Sequence, residues 1–293
     1  GSNFGTLTLS EVTLSGNGKA LDLVSGTLDA TFNSVTSASS ANQGIYMSAV
    51  AGTANLGNTT ISGCTTQGIL VSGSTANITF GNTTVTPGTD GVSLQNNSSG
   101  TRSFGTLSVT NGSGVGFLHS SGGLTTISGQ TTITNPAGRG IEIQNATSGN
   151  GVTFANTNVT QSGGTGVFLN ANAGNITFAD LDISPDANQR SLHATENTGT
   201  ITTTDGAITN SGNIGIEITK ASGATPLSIV LTSVSASGSS SGIILSRTSG
   251  SFTVNGTGGN GTGGTIQNMT ARGASFFTAT GITLKNMTFP NAN

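Results

Sequence analysis

The sequence predicts an all-β chain that folds as a single right-handed parallel β-helix, a solenoid of about 12 coils with about 25 residues and three short strands per coil. Three observations predict this fold. Apolar and polar residues alternate over short segments, these segments return at a regular interval along the 293 residues, and Gly, Asn or Ser separates them. Residues 1–293 are therefore expected to form one domain without an α-helix. The right-handed sense is predicted because right-handed crossovers between parallel strands dominate.

The first element of each repeat is an alternating segment that contains one large apolar residue. Residues 77–86, 151–160 and 175–184 are close copies of one another. Alternate side chains of a strand point to opposite faces, so the large apolar residue is expected to point into the core. We name these residues the Phe column, and its neighbouring members lie 23 to 30 residues apart. The predicted members are Leu7, Ala30, Leu56, Phe80, Phe104, Ile127, Phe154, Phe178, Thr203, Ile229, Val254 and Leu284.

The second element follows five residues later and places an aliphatic residue in the core. The members of this second column are Val12, Val35, Ile61, Val85, Val109, Ile133, Val159, Ile183, Ile208 and Val234. The third element starts with Gly and continues with an alternating apolar pair. It begins at Gly44, Gly68, Gly91, Gly140, Gly166, Gly215 and Gly242. A coil cannot bury its apolar face alone, so neighbouring coils are expected to cover it.

The outward positions carry small polar side chains. Those before the Phe column are Thr6, Asp29, Asn55, Thr79, Ser103, Thr126, Thr153, Thr177, Thr202, Ser228, Thr253 and Thr283. Those flanking the second column include Thr60, Ser62, Thr84, Thr86, Ser108, Thr110, Thr132, Thr134, Asn158, Thr160, Ser233 and Ser235. Thr suits a pleated surface, which favours an uncharged, soluble face. The Thr-x-Thr pattern also raises an ice-binding solenoid as an alternative, although Asn158, Asp182 and Ala207 interrupt it.

Turn residues separate the strands. A column of Asn and Asp follows the Phe column by two residues, and it favours turns in which stacked amides bond from coil to coil. Its members are Asn58, Asn82, Asn156, Asp180, Asp205 and Asn286. Residues 255–264 form a Gly-rich loop, and Cys64 is expected at a turn. His119 has no acidic neighbour in the sequence and is expected at the surface.

Composition excludes several classes of protein. Charged residues make up only 6% of the chain and the net charge is -3. The longest apolar runs contain only a few residues, so no helix that inserts into a membrane is predicted. The eight Lys and Arg residues are scattered, which predicts no nucleic-acid partner. A single Cys excludes a disulfide framework within the chain. The first residues lack the pattern of a signal peptide.

The coil from 180 to 196, here named the charged coil, departs from the pattern. It lacks the Gly-led third element and holds six ionisable residues. The candidates for acid–base catalysis are Asp182, Asp186, Arg190, His193 and Glu196. The weaker candidates for a calcium site are Asp180, Asp182 and Asp186. The alternative interpretation is a solvated, degenerate coil, and no other cofactor is predicted.

On neighbouring coils, only Arg139, Glu142 and Glu217 are candidates to complete a site in the charged coil. Glu142 and Glu217 share one outward position, but they lie three coils, or about 14 Å, apart, too far for a glycosidase pair. Tyr46 and Phe168 point outward without forming an aromatic platform. Neither end of the chain shows an amphipathic cap, which suggests a segment of a longer protein or one that stacks end to end.

The repeats at 151–160 and 140–143, and the stretches 252–259 and 264–268, resemble the right-handed β-helix repeats of large secreted bacterial surface proteins. These repeats belong to the broad pectin-lyase-like superfamily of folds, and the resemblance covers nearly the whole chain. It implies an extracellular or cell-surface location. The superfamily includes adhesins, fibre stalks, tailspikes and lyases, and no catalytic motif of its enzymes can be placed on residues of this chain.

Three functions follow as hypotheses. The first is a non-catalytic structural or adhesive stalk segment, whose partners would be surface glycans or other copies of the chain. The second is a polysaccharide-active enzyme, a lyase or hydrolase, in which the residues of the charged coil converge in a groove. The third is the ice-binding solenoid. Because the titratable groups are few and scattered, the sequence favours the non-enzymatic stalk.

Overall fold

The computed structural model describes residues 2–120 and 122–290, and within them it contains strands and turns but no α-helix. All pairings between strands are parallel and link every strand into one continuous solenoid. The strands are β1 (Ser2–Asn17), β2 (Leu21–Ala38), β3 (Ile45–Asn55), β4 (Asn58–Ser62), β5 (Ile69–Ser72), β6 (Asn77–Phe80), β7 (Thr83–Thr86), β8 (Val92–Gln95), β9 (Thr101–Phe104), β10 (Leu107–Thr110), β11 (Phe117–Ser120), β12 (Leu124–Ile127), β13 (Thr131–Thr134), β14 (Ile141–Gln144), β15 (Val152–Thr160), β16 (Val167–Asn170), β17 (Ile176–Ser184), β18 (Leu192–Thr195), β19 (Ile201–Thr203), β20 (Ala207–Ser211), β21 (Ile216–Thr219), β22 (Thr225–Leu231), β23 (Ser233–Ser237), β24 (Ser241–Val254), β25 (Ile266–Gln267), β26 (Arg272–Ala279) and β27 (Ile282–Leu284).

The all-β parallel solenoid is confirmed, with about 10 turns at a spacing of about 24 residues. Each coil contributes one strand segment to each of three faces. Face A contains the Gly-led strands, such as β14, β16 and β21, together with β18 of the charged coil. Face B carries the Phe column, as in β6, β9 and β12. Face C carries the second column, as in β7, β10 and β13. The right-handed sense stays a prediction.

Strands run through the corners in some coils. β15 and β17 each cover faces B and C, and β24 covers faces A and B. The predicted Gly-rich loop at 255–264 contains no strand, and Thr262 Oγ1 donates a hydrogen bond to Gly259 O at 2.6 Å within it. The predicted lack of an amphipathic cap concerns both chain ends, and residues 1 and 291–293 of these ends lie outside the described residues.

The core is the predicted axial column of aliphatic and aromatic side chains. Phe80 and Phe104 stack with ring centroids 4.5 Å apart, and Phe154 and Phe178 stack at 4.9 Å. Each of these side chains is at most 1% exposed. Such buried stacks supply apolar burial along the axis, which is the dominant favourable term in folding.

The predicted columns are correct in the middle of the chain and displaced by two residues toward its ends. Phe252, rather than Val254, pairs with Ile229, and Ala30 pairs with Ala54 rather than with Leu56. The other predictions displaced by two residues are Leu7, which pairs with Leu28, and Val35, which pairs with Thr59. Val12 pairs with Phe32 at a register irregularity of β1, three residues before its predicted partner Val35. Leu284 pairs with Val254, as predicted. A shift of two residues keeps each side chain on the same face, so the alternation cannot detect it.

The glycine that begins each face A strand is explained by the packing of the next coil. A Cβ atom at Gly140 would lie 2.2 Å from Val159 Cγ1 and 2.5 Å from the carbonyl oxygen of Gly166. The same close approach, to the second-column residue one coil later, occurs at Gly44, Gly68, Gly91, Gly116 and Gly166. Gly242 approaches Ile266 in the same way. In the charged coil Ser191 takes this position, and its hydroxyl donates to Thr209 O at 2.9 Å.

The predicted outward residues are exposed or partly exposed, as the alternation requires, except Glu142, which is 9% exposed. The coil-to-coil bonds expected for the Asn column are present in part. Asn82 N donates to Asn58 Oδ1 at 3.1 Å, and Thr106 Oγ1 donates to Asn82 Oδ1 at 3.1 Å. No helix among the described residues has the length and apolar character needed to cross a membrane.

Candidate functional site

The structure distributes the charged coil over two faces and two turns. Asp180 and Asp182 lie on β17, where the chain enters face C. His193 lies on β18 in face A, and Arg190 precedes that strand. Asp186 and Glu196 lie in the turns on either side of β18, and both are exposed. The residues predicted to converge in one groove therefore do not come together as a set.

An acidic group formed by Asp180, Asp182 and Asp205 lies at the start of face C. Burial, followed by the negative charges of Asp182 and Asp205, raises the pKa of Asp180. A hydrogen bond from Thr232 Oγ1 and one from a backbone N–H lower the pKa of Asp205. Asp182 Oδ1 accepts a hydrogen bond from Ala207 N at 2.9 Å. Asp182 thus accepts a hydrogen bond from the following coil, and Asp205 accepts one from the following coil and one from its own coil.

The two turn residues are also separate from this group. Glu196 has a left-handed backbone with φ 56°, and its Oε1 accepts a hydrogen bond from Ala221 N at 2.7 Å. Within the described part of the chain, no three His, Cys, Asp or Glu side chains are arranged to hold a metal ion. The calcium candidates Asp180, Asp182 and Asp186 do not form such a group.

Face A brings two members of the charged coil to a carboxylate of the next coil. The Arg190 Nε atom lies 2.6 Å from Glu217 Oε2, and His193 Nε2 lies 3.9 Å from the same oxygen. His193 and Glu217 are direct register partners on β18 and β21. The parallel register thus creates a charged contact between residues that are more than twenty positions apart in sequence.

The contact continues toward the preceding coils. Phe168 is the register partner of His193, and the two rings are 5.2 Å apart and tilted by 52°. Arg139 lies over the Phe168 ring, with Cζ 3.9 Å from its centroid, and Arg139 Nη1 is 2.7 Å from Glu142 Oε1. These residues form one ladder, here named the face A cluster: Arg139, Glu142, Phe168, Arg190, His193 and Glu217.

The electrostatics of the face A cluster favour a neutral imidazole. Burial is the largest effect and lowers the pKa of His193 below its ordinary value. The carboxylate of Glu217 raises it, whereas the positive charges of Arg190 and Arg139 lower it further. A neutral imidazole beside a carboxylate can accept a proton, which is the chemistry of a general base.

The two carboxylates of the cluster are not placed for joint acid–base work. Glu142, Phe168, His193 and Glu217 occupy successive positions of the ladder, so Glu142 and Glu217 are separated by about 14 Å. Each carboxylate is already paired with an arginine. The geometry therefore joins four coils by ion pairs and ring contacts.

Sequence reasoning missed a set of buried polar residues inside the solenoid. Asn172 Nδ2 donates to Asn197 Oδ1 at 2.8 Å and to Ile143 O at 2.9 Å, and both asparagines are at most 1% exposed. The only sequence signal for these asparagines is their position, two residues after the end of a face A strand. Asn97 is buried at the same position after β8. These amides satisfy backbone groups at a corner of the core.

Arg102 is the largest buried side chain of this kind. It is 1% exposed, and burial lowers its pKa to about 10, so the group remains charged at neutral pH. Arg102 Nη2 donates to Ser74 O at 2.6 Å, and Nη1 donates to Ser99 O at 2.6 Å. The guanidinium thus binds backbone carbonyls of its own and the preceding coil.

The surface expectation for His119 is wrong. His119 is 2% exposed, because the alternation of β11 turns Phe117 and His119 inward and Leu118 outward. Its Nδ1 lies 3.2 Å from Thr125 Oγ1. Cys64 lies outside the strands, as expected, but its thiol is buried.

Comparison of the chain with protein-family models, with curated proteins and with solved structures gave no match in any of the three searches.

Proposed function

We propose that the chain is a non-catalytic stalk segment, structural or adhesive, of a secreted or cell-surface bacterial protein. The observation that carries this proposal is the continuous parallel pairing of strands, which extends from β1 to β27 with small polar side chains on most of the outer surface. Surface glycans or further copies of the chain are the partners that this role requires.

The positions and contacts of the ionisable side chains support a stalk. The charged coil is dispersed over different faces, and Arg139 and Arg190 are engaged in ion pairs. A rod of stacked coils is a suitable spacer because every coil is fixed by its neighbours on both sides.

A screen for turnover tests the proposal. The chain is incubated with acidic and neutral polysaccharides, once with calcium and once with a chelator, and unsaturated products and new reducing ends are measured. A stalk gives no turnover in any condition. Turnover that is lost in Asp186→Ala or Arg190→Ala would contradict the stalk and identify a polysaccharide-active enzyme.

The enzyme is the second candidate, and one observation favours it. The contact of Arg190, His193 and Glu217 places a base and a cation on one outer face. In this alternative His193 accepts a proton from the substrate, so His193→Gln abolishes turnover while the fold persists.

The ice-binding alternative is favoured by the alignment of hydroxyls on face C. Thr60, Thr84, Ser108 and Thr132 are successive register partners, with outward Thr86, Thr110 and Thr134 beside them. Thermal hysteresis measures this function directly. A freezing-point gap that disappears when outward Thr132 is replaced by Lys would support it.

A further inference from the structure

A cleft of about 360 Å³ opens on face B, away from the face A cluster. It is lined by Leu124, Ser148, Gly149, Gly151, Thr153, Ala173, Asn175 and Thr177. This volume falls within the range of small-molecule sites, and no ionisable side chain is among the lining residues. The cleft has no counterpart in the expectations from the sequence.

The cleft arises from a missing side chain in an outward column. Leu124 begins β12, and the corresponding positions of the next two coils are Gly151 and Asn175. Because Gly151 has no side chain, a gap of two strand spacings, about 10 Å, opens between Leu124 and Asn175. A Cβ atom at Gly151 would lie 2.3 Å from Asn175 O, so the close approach of the two coils requires this glycine.

A turn forms one wall of the cleft. Residues 145–151 connect β14 to β15, whereas only residues 171–175 connect β16 to β17. Asn150 N donates to Thr147 O at 2.9 Å, and Asn150 Nδ2 donates to Thr147 Oγ1 at 2.9 Å. These two bonds hold the longer turn in a closed shape that presents Ser148 and Gly149 to the cleft.

The lining combines an aliphatic wall with uncharged hydrogen-bonding groups. Leu124 is 39% exposed, which makes it one of four large apolar side chains in the described chain that are exposed. Ser148, Thr153 and Thr177 supply hydroxyls, and Asn175 supplies an amide whose Oδ1 accepts from Thr200 N at 3.0 Å. Hydroxyls and an amide can both donate and accept hydrogen bonds.

We propose that this cleft is a binding site for a neutral saccharide unit. A sugar ring has an apolar face of C–H groups, which matches Leu124, and a rim of hydroxyls, which matches Thr153, Thr177 and Asn175. An anionic sugar is disfavoured because no cation lines the cleft to offset the loss of its hydration. The proposal rests on the proposed adhesive stalk and names the ligand class that such a stalk holds.

The test measures binding of defined trisaccharides to the full chain by titration calorimetry and by ligand-observed NMR. The neutral probes are cellotriose, maltotriose and the trimer of N-acetylglucosamine, and the acidic probe is trigalacturonate. Thr177→Arg fills the cleft. The matched control is Thr79→Arg, which changes the same outward ladder outside the cleft.

We expect at least one neutral trisaccharide to bind, Thr177→Arg to weaken that binding at least about tenfold, and Thr79→Arg to leave it unchanged. Leu124→Ala, which removes the aliphatic wall without adding charge, should also weaken binding and serves if Thr177→Arg does not fold. Three results would overturn the proposal. They are binding of trigalacturonate alone, no binding of any neutral probe, and binding that the cleft variants leave unchanged. The stalk is contradicted by turnover, which is a separate measurement, so the two failures are distinguishable.

Discussion

The glycine that begins a face A strand has a steric role that differs in degree from coil to coil. At Gly140 an added methyl group would meet a backbone carbonyl at 2.5 Å and Val159 at 2.2 Å. At Gly215 an added methyl group would lie 3.2 Å from the carbonyl oxygen of Gly242 and 3.4 Å from Ala236 Cβ. A backbone carbonyl cannot rotate away from either position. The approach of 2.5 Å at Gly140 therefore requires a shift of the coil, whereas the 3.2 Å at Gly215 requires only a small adjustment.

We therefore expect Gly140→Ala to lower the free energy of unfolding by about 1–3 kcal/mol. Gly215→Ala is the matched control, and its change should be less than about 1 kcal/mol. Denaturant titration of both variants measures the difference. Equal losses at the two positions would show that contact with the next coil does not determine the effect.

At the scale of elements, the four strands β14, β16, β18 and β21 are joined on their outer side by the face A cluster. His193 is enclosed by Phe168 of β16, by Glu217 of β21, and by the side chains of Arg139 and Arg190. Because its folded-state pKa is lowered, the unfolded chain binds a proton at a higher pH than the folded chain does.

His193 should therefore reduce stability as the pH falls below the ordinary histidine pKa of about 6.5. At higher pH the imidazole is neutral in both states and contributes no pH dependence. We expect the parent chain to lose more thermal stability than His193→Gln between about pH 7.5 and about pH 5. Thermal unfolding of both proteins at each pH checks this. A parallel fall in the two proteins would show that groups other than His193 determine the pH dependence.

The elements also show what the sequence could and could not predict. The repeat and the inward side chains were predictable because both depend on local alternation, and the central register from Ile61 to Val234 follows from them. The register of β2 and β24 was not predictable, because a shift of two residues preserves the alternation of inward and outward side chains. The contact of Arg190 with Glu217 depends on a long side chain reaching the next coil, and the cleft depends on an absent side chain at Gly151. Neither leaves a periodic signal.

At the scale of the whole molecule, each coil contacts its neighbours, and the hydrophobic core has no single centre. Phe154 is buried between a stacked ring, Phe178 at 4.9 Å, and an edge contact with Phe117 at 5.4 Å. Stability in such an array is a sum of coil and interface contributions. Damage to one coil should therefore remain local.

Phe154→Ala tests this, with an expected local loss of about 3–5 kcal/mol. Hydrogen exchange read by mass spectrometry should show faster exchange in β12, β15 and β17. The same measurement should show unchanged protection in β3, which lies several coils away. Uniformly faster exchange along the chain would mean that the solenoid unfolds as one cooperative unit.

The parallel register has a consequence for how such a molecule can change in length. Each turn of about 24 residues advances the axis by one strand spacing, about 4.8 Å. Duplication or deletion of a whole turn between equivalent core positions, such as Ile133 and Val159, therefore lengthens or shortens the molecule by one fixed increment and restores the same neighbours on both sides. The number of turns therefore sets the distance along the axis between any two positions of the solenoid.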